Sequence, residues 1–397
     1  MNIIHLHVDK AFLARWFAFP FILLAAGSLS AQQFSFNDSW GKQGFTLVRE
    51  TPAGVVITFS IHDFSLTDQV INREEMKTIQ LTGAFLQNNE GAPNLPGRGK
   101  YIALPRGATV RISSLETRTV SIPDMNISPA PRLPLVTDLP PLHFEKDMDI
   151  YGKNEFYPAQ PVILSELRKV RGVDAVILGI TPFQYNPVTR ELVVIRDIRV
   201  EISFEGGNGI FGEERYRSRT WDPILRDLFI NHASLPEVNY SSRDNGSRDQ
   251  NWEYVIITPD NPYFFGWADS LRKWRNAQGI PTMVATLSQI GGNTSSAIEN
   301  YINNAYNNWP TAPSAFLLLA DYGSSGDNTI ISPLWDNYCI SDNLYADVDG
   351  DDLPDVALAR IAAQSAGQLS TMIGKMMNYE LSPPTDPDFY DHPISAG

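Results

Sequence analysis

Ten consecutive residues, 241–250, read Ser-Ser-Arg-Asp-Asn-Gly-Ser-Arg-Asp-Gln and carry no apolar side chain. Such a segment has nothing to bury, so it predicts an exposed linker. It divides the 397-residue chain into two stretches, 33–235 and 252–397, that must each close a core of their own. Stretches of this length fit about one domain apiece.

The first stretch is built of short β-branched and aromatic runs bounded by Pro, Gly, Asn or Asp. Val55–Ser60, Tyr101–Leu104, Ala108–Ser113, Asp174–Ile180 and Leu192–Ile195 are of this kind and predict strands. Phe183–Arg190 links the last two, and its Asn186-Pro187 favours a turn. From Ile198 to Phe204 apolar and polar residues alternate, giving one buried and one wet face. Many short strands with turn signals predict a β-rich, sandwich-like domain. Trp221–Ile230 reads as a short helix leaving it.

Beyond residue 250 the pattern changes. Tyr254–Thr258 is an apolar run of the kind found in strands covered on both faces. A helix is predicted over 262–278, because Phe264, Trp267, Leu271 and Trp274 make one stripe, with Gly279 placed as a cap. Strand Thr282–Ala285, a helix over 295–308, strands Ala315–Ala320 and Val356–Ala359, and a helix over 366–379 follow. Alternation of this kind predicts a parallel sheet with helices on both faces.

The N-terminus reads as a secretory signal peptide, residues 1–31: Lys10 and Arg15, then the apolar run Trp16–Ala26, then small residues up to Ala31. The run is short for a membrane span, and no later stretch is long and apolar enough for one. The expected product is therefore exported or displayed at the cell surface. A net charge of −14 argues against nucleic-acid partners and anionic membranes. One cysteine, Cys339, excludes an internal disulfide framework.

The most specific local signal is the loop from Asp347 to Asp355, with Asp347, Asp349, Asp351 and Asp355 at positions 1, 3, 5 and 9. Alternate carboxylates on a curling backbone converge on one point, the way a structural Ca²⁺ is caged. The loop departs from the helix-loop-helix calcium hand, with Asp352 where Gly is expected and Leu358 where a bidentate Glu is expected. The alternative is an acidic solvated turn. Asp321 ends an apolar strand, where ligands of open α/β sheets sit, though a cap or turn role serves as well. His62, His143 and His232 look incidental, and Cys339 with His392 makes a poor nucleophile–base pair because neither follows an apolar strand.

Several segments together resemble the gingipain family of secreted cysteine peptidases in precursor form. Gly91–Pro96, Tyr101–Gly107, Ile127–Pro131, Val170–Val173 and Pro182–Pro187 look like its propeptide domain. Tyr254–Thr258, Trp274–Ile280, Phe316–Asp321 and Ser341–Ile361 look like the opening of its caspase-like catalytic sheet. Ala320-Asp321 and Ala359-Arg360 depart from the Gly-Asp and Gly-Arg usual there. The resemblance implies a β prodomain that keeps a cysteine endopeptidase latent and acts as its intramolecular partner, with protein or peptide substrates. The family's catalytic His, in a Gly-His-Gly setting, and its Cys would lie past Gly397, so the α/β stretch is expected to be incomplete and Cys339 and His392 inherit neither role. Release would need a cut in the linker, with Arg243 and Arg248 as candidate processing sites. The competing expectations are a gingipain-type surface maturation factor or a calcium-stabilised surface binding module without chemistry.

Overall fold

The computed structural model describes residues 31–84, 88–132, 142–240 and 251–391. The expectations for the signal peptide before Ala31, for linker 241–250 with Arg243 and Arg248, and for His392 lie outside the described residues.

The β unit is organised around one long strand, β12 (Glu191–Gly206). The others are β1 (Ala31–Ser35), β2 (Gly44–Thr51), β3 (Gly54–Ser60), β4 (Asp63–Ile71), β5 (Glu74–Gln80) and β6 (Arg98–Ala103). Then come β7 (Ala108–Ile122), β8 (Val162–Leu164), β9 (Arg168–Val170), β10 (Val173–Ile180) and β11 (Phe183–Asn186). Three antiparallel sheets result: β1-β4-β5, β6-β10-β8 with β9 also on β10, and β11-β12-β3-β2 with β7 also on β12. Along β12, Ile198, Val200, Ile202 and Phe204 are buried while Arg199 is exposed, which is the predicted alternation. Bulges between Ile195 and Asp197, and between Glu201 and Ile202, shift its register against β7.

Two sequence expectations are corrected. Phe183–Asn186 is not a plain link: it pairs with Glu191–Val194 as one arm of a hairpin whose turn is tied by the Asn186 carboxamide, which accepts from Val188 N and Thr189 N. The strand starting at Ala108 runs to Ile122, because the long ladder to β12 holds residues that expose both faces.

The α/β unit holds four parallel strands in the order β14-β13-β15-β20: β13 (Tyr254–Thr258), β14 (Thr282–Thr286), β15 (Ala315–Leu318) and β20 (Ala357–Arg360). Short pairs lie between the last two: β16 (Asp321–Tyr322) with β17 (Thr329–Ile330), and β18 (Leu334–Trp335) with β19 (Cys339–Ile340). Its helices continue the chain-order count after α1 (Met148–Tyr151) and α2 (Trp221–Leu228): α3 (Pro262–Ala277), α4 (Leu287–Ile290), α5 (Ser295–Asn308), α6 (Ala366–Leu381) and the short α7 (Asp388–Asp391). Asn261, Thr294 and Ser365 cap α3, α5 and α6 by accepting from first-turn backbone N–H groups. The α3 crossover steps from β13 out to β14, and the α5 crossover steps back past β13 to β15. Right-handed connections therefore put α3 and α5 on opposite faces, and α6 packs beside α3.

Candidate functional site

The acidic loop enters from a 3₁₀ turn, Asp342–Tyr345, and leaves into β20. Its own carboxylates curl it. Asp347 accepts from Gly350 N at 2.8 Å, Asp351 N at 3.2 Å and Asp352 N at 3.1 Å. Asp355 accepts from Val348 N at 2.9 Å and Asp349 N at 3.2 Å, and from the Tyr306 hydroxyl at 3.1 Å. Gly350 and Asp352 take left-handed backbone conformations, with φ of 78° and 65°. Asp352 thus adopts the conformation for which a calcium hand uses Gly, and Asp tolerates it better than most residues.

Carboxylate oxygens of Asp347, Asp349 and Asp355 lie within 4.8 Å of one another. Asp351 is outside that group: its carboxylate accepts from Leu353 N and lies 3.7 Å from Arg168 of β9. Burial, reinforced by the charges of Asp355, Asp351 and Asp347, pushes the Asp349 carboxyl up to about 6. Burial also raises Asp355, against the hydrogen bonds it accepts. A set of hard oxygen donors that repel one another this way suits a hard divalent cation, which would relieve the repulsion.

At the carboxyl ends of the strands, Asp321 accepts from Gln364 Nε2 at 2.5 Å, which holds its carboxyl below the usual range. A stronger feature lies beside it. Arg360 ends β20 and forks onto Asp342, Nε and Nη2 each at 2.8 Å, while Nη1 reaches the carbonyls of Ala320, Asp321 and Ile330. Burial raises Asp342, but the hydrogen bonds from Arg360 and Ser332 together with the Arg360 charge outweigh it, and the net direction is down. An arginine closing an apolar strand was the available signal. Cys339 is exposed in β19, and residues 251–391 contain no histidine, so the described α/β unit holds no cysteine–histidine pair.

Comparison with known proteins gives two family matches in chain order. The propeptide model, Propeptide_C25, matches residues 40–234, and the model for Peptidase family C25 matches residues 247–391. Lys-gingipain HG66 of Porphyromonas gingivalis is 24% identical over 352 residues, covering 84% of this chain and 19% of its own length. Gingipain R2 of Porphyromonas gingivalis (strain ATCC 33277) is 21% identical over 333 residues, covering 82% of this chain and 43% of its own length. The chain therefore spans less than half the length of either relative. Among solved structures, the complex of Porphyromonas gingivalis RgpB pro- and mature domains aligns with a TM-score of 0.42 and 20% identity, over 49% of this chain and 99% of that chain.

Proposed function

The chain belongs to peptidase family C25, with the family's propeptide ahead of its catalytic region, and from that premise we propose that it is the precursor of an exported cysteine endopeptidase held latent by its β unit. The observation that carries this reading is a shared boundary. The two family matches part between residues 234 and 247, and the two sets of buried apolar side chains part at the same place, between Leu235 and Val255.

In this reading a thiolate attacks the peptide carbonyl, a histidine carries the proton to the leaving amine, and backbone N–H groups hold the oxyanion. These groups fall outside residues 251–391, and Cys339 is not the nucleophile, since it is exposed with no base beside it. Cleavage within 241–250, at Arg243 or Arg248, separates the units covalently. Export through the N-terminal leader places the protein outside the cell or on its surface; among the described residues no helix is long and apolar enough to cross a membrane. Asp347, Asp349 and Asp355 hold a structural Ca²⁺, with Asp351 at the rim paired to Arg168.

The test is peptidase assay of the whole gene product on fluorogenic peptides, before linker cleavage and after cleavage and removal of the β unit. Activity should appear only in the second state and vanish on thiol alkylation. Inactivity in both states would favour the binding-module reading.

A further inference from the structure

A buried arginine crosses from the β unit into the α/β unit. Arg171 stands in the two-residue turn between β9 and β10, whose flanking residues Val170 and Val173 are paired. Both turn residues have positive φ, 49° at Arg171 and 70° at Gly172. That is the twist of a type I′ hairpin, which Asn-Gly fits best. Arginine at its first position is a local misfit, and misfits of this kind persist where the side chain has other work.

The Arg171 side chain is 1% exposed. Nε and Nη2 donate to the Tyr216 carbonyl at 3.1 and 2.8 Å. Nη1 donates to the carbonyls of Pro313 at 2.9 Å and Asp355 at 3.2 Å, and Nη2 to that of Ala312 at 3.3 Å. The rings of Trp221 and Tyr306 lie 5.2 and 5.3 Å from the guanidinium, within cation–π range. No lysine could match this set, because only the guanidinium fork offers five donors in one plane.

The acceptors share a location. Ala312 and Pro313 precede β15 and Asp355 precedes β20, so they form the amino-terminal edge of the parallel sheet. Further contacts gather there. Trp221 Nε1 donates to Ser314 O at 3.2 Å, Arg215 donates to Tyr306 O at 2.7 Å and Trp309 O at 2.8 Å, and Ala312 N donates to Arg215 O at 2.9 Å. Open α/β sheets take their ligands at the opposite, carboxyl edge.

We propose that Arg171 and the carbonyl socket of Ala312, Pro313 and Asp355 are the docking point through which the β unit keeps hold of the α/β unit after the linker is cut. The proposal rests on the reading of the β unit as a propeptide. It adds that the hold is taken on the sheet edge away from the one a peptide substrate would use. None of these contacts involves residues 241–250, so a cut in the linker breaks none of them.

The experiment places a site-specific protease sequence within 241–250 of the full chain, cuts it, and measures fragment association by size-exclusion chromatography and titration. Wild-type fragments should co-elute. Arg171→Asn suits the turn and empties the socket, so the uncut protein should fold and the cut fragments should separate, with Kd raised roughly a hundredfold. Arg171→Lys keeps charge and stem and should weaken association about tenfold, which covers the case of an Asn variant that does not fold. Arg171→Asn or Arg171→Lys fragments that bind within about threefold of wild type would overturn the docking role. Elution does not depend on peptidase activity, so an inactive protein whose fragments still part on loss of Arg171 refutes the catalytic reading alone.

Discussion

Gly172 is fixed by its neighbour as well as by its turn. A Cβ there would lie 2.2 Å from Tyr216 Cδ2, and the Tyr216 ring cannot yield easily, being packed 4.9 Å from the ring of Tyr306. Gly107 has a similar φ of 74° but open space around it. The pair separates backbone strain from collision. Gly107→Ala should cost about 1–2 kcal/mol, the penalty of a left-handed non-glycine residue, whereas Gly172→Ala should cost about 2–4 kcal/mol in urea unfolding. Equal costs would mean that the Tyr216 ring is free to move. The acidic loop allows a second residue-level check. If Asp347, Asp349 and Asp355 hold Ca²⁺, ion at a hundred times its Kd should stabilise the α/β unit by about 2.7 kcal/mol. A chelator should reverse the gain, and Asp349→Ala should abolish the response. A melting temperature indifferent to both ion and chelator would reduce the loop to a solvated turn.

Between elements, the contact of α6 with α3 rests on Glu380 in the last turn of α6. It accepts from Trp274 Nε1 at 2.7 Å, Arg275 Nη1 and Nη2 at 2.8 and 2.7 Å, and Gln278 Nε2 at 2.9 Å. Burial pushes its carboxyl up, but those hydrogen bonds and the Arg275 charge win and hold it at about 2. The unfolded carboxyl titrates near 4.3, so the folded state binds the proton less well. The stabilisation is therefore present above about pH 4.3 and is lost as pH falls toward 2. The wild-type melting temperature should drop more steeply across that window than that of Glu380→Gln, and parallel pH profiles would remove the role. These helices were legible because their stripes repeat at helical spacing: Phe264 and Leu271 of α3, and Leu369 and Ile373 of α6, are all buried. The outer half of β7 was not, since Ser113–Thr117 and Thr119–Ser121 are exposed on both faces and no period marks a strand that buries neither. β5 was hidden similarly, with only Met76 and Ile79 buried among polar residues. The acidic loop was legible because spacing alone converges carboxylates. Arg171 was not, and Arg360 showed only its place at the end of an apolar strand, because their acceptors are backbone carbonyls and side chains brought together from distant parts of the chain.

For the whole molecule, the question is whether docking makes the two units one cooperative body. Their buried apolar sets share no residue: Ile57, Phe59 and Ile198 belong to one, Val255, Ile257 and Leu318 to the other. The contacts that join them in the described residues include a rim of hydrogen bonds to carbonyls, the Arg168–Asp351 ion pair and a few aromatic contacts such as Tyr216 on Tyr306. Separate cores predict separate cooperative transitions, because cooperativity follows shared burial rather than chain continuity. Ile57 at the middle of β3 and Ile257 in β13 are each 0% exposed. Truncation of either to alanine should cost its own unit about 2–5 kcal/mol through lost burial and the cavity left behind. In the uncut chain the effect of Ile257→Ala should fall on the α/β transition and leave the β transition within about 0.5 kcal/mol, with Ile57→Ala doing the reverse and the double variant additive. Calorimetry with hydrogen exchange resolves which unit each step belongs to. A single transition that both substitutions shift equally, in the wild-type and Arg171→Asn backgrounds alike, would show one shared core where the structure has two.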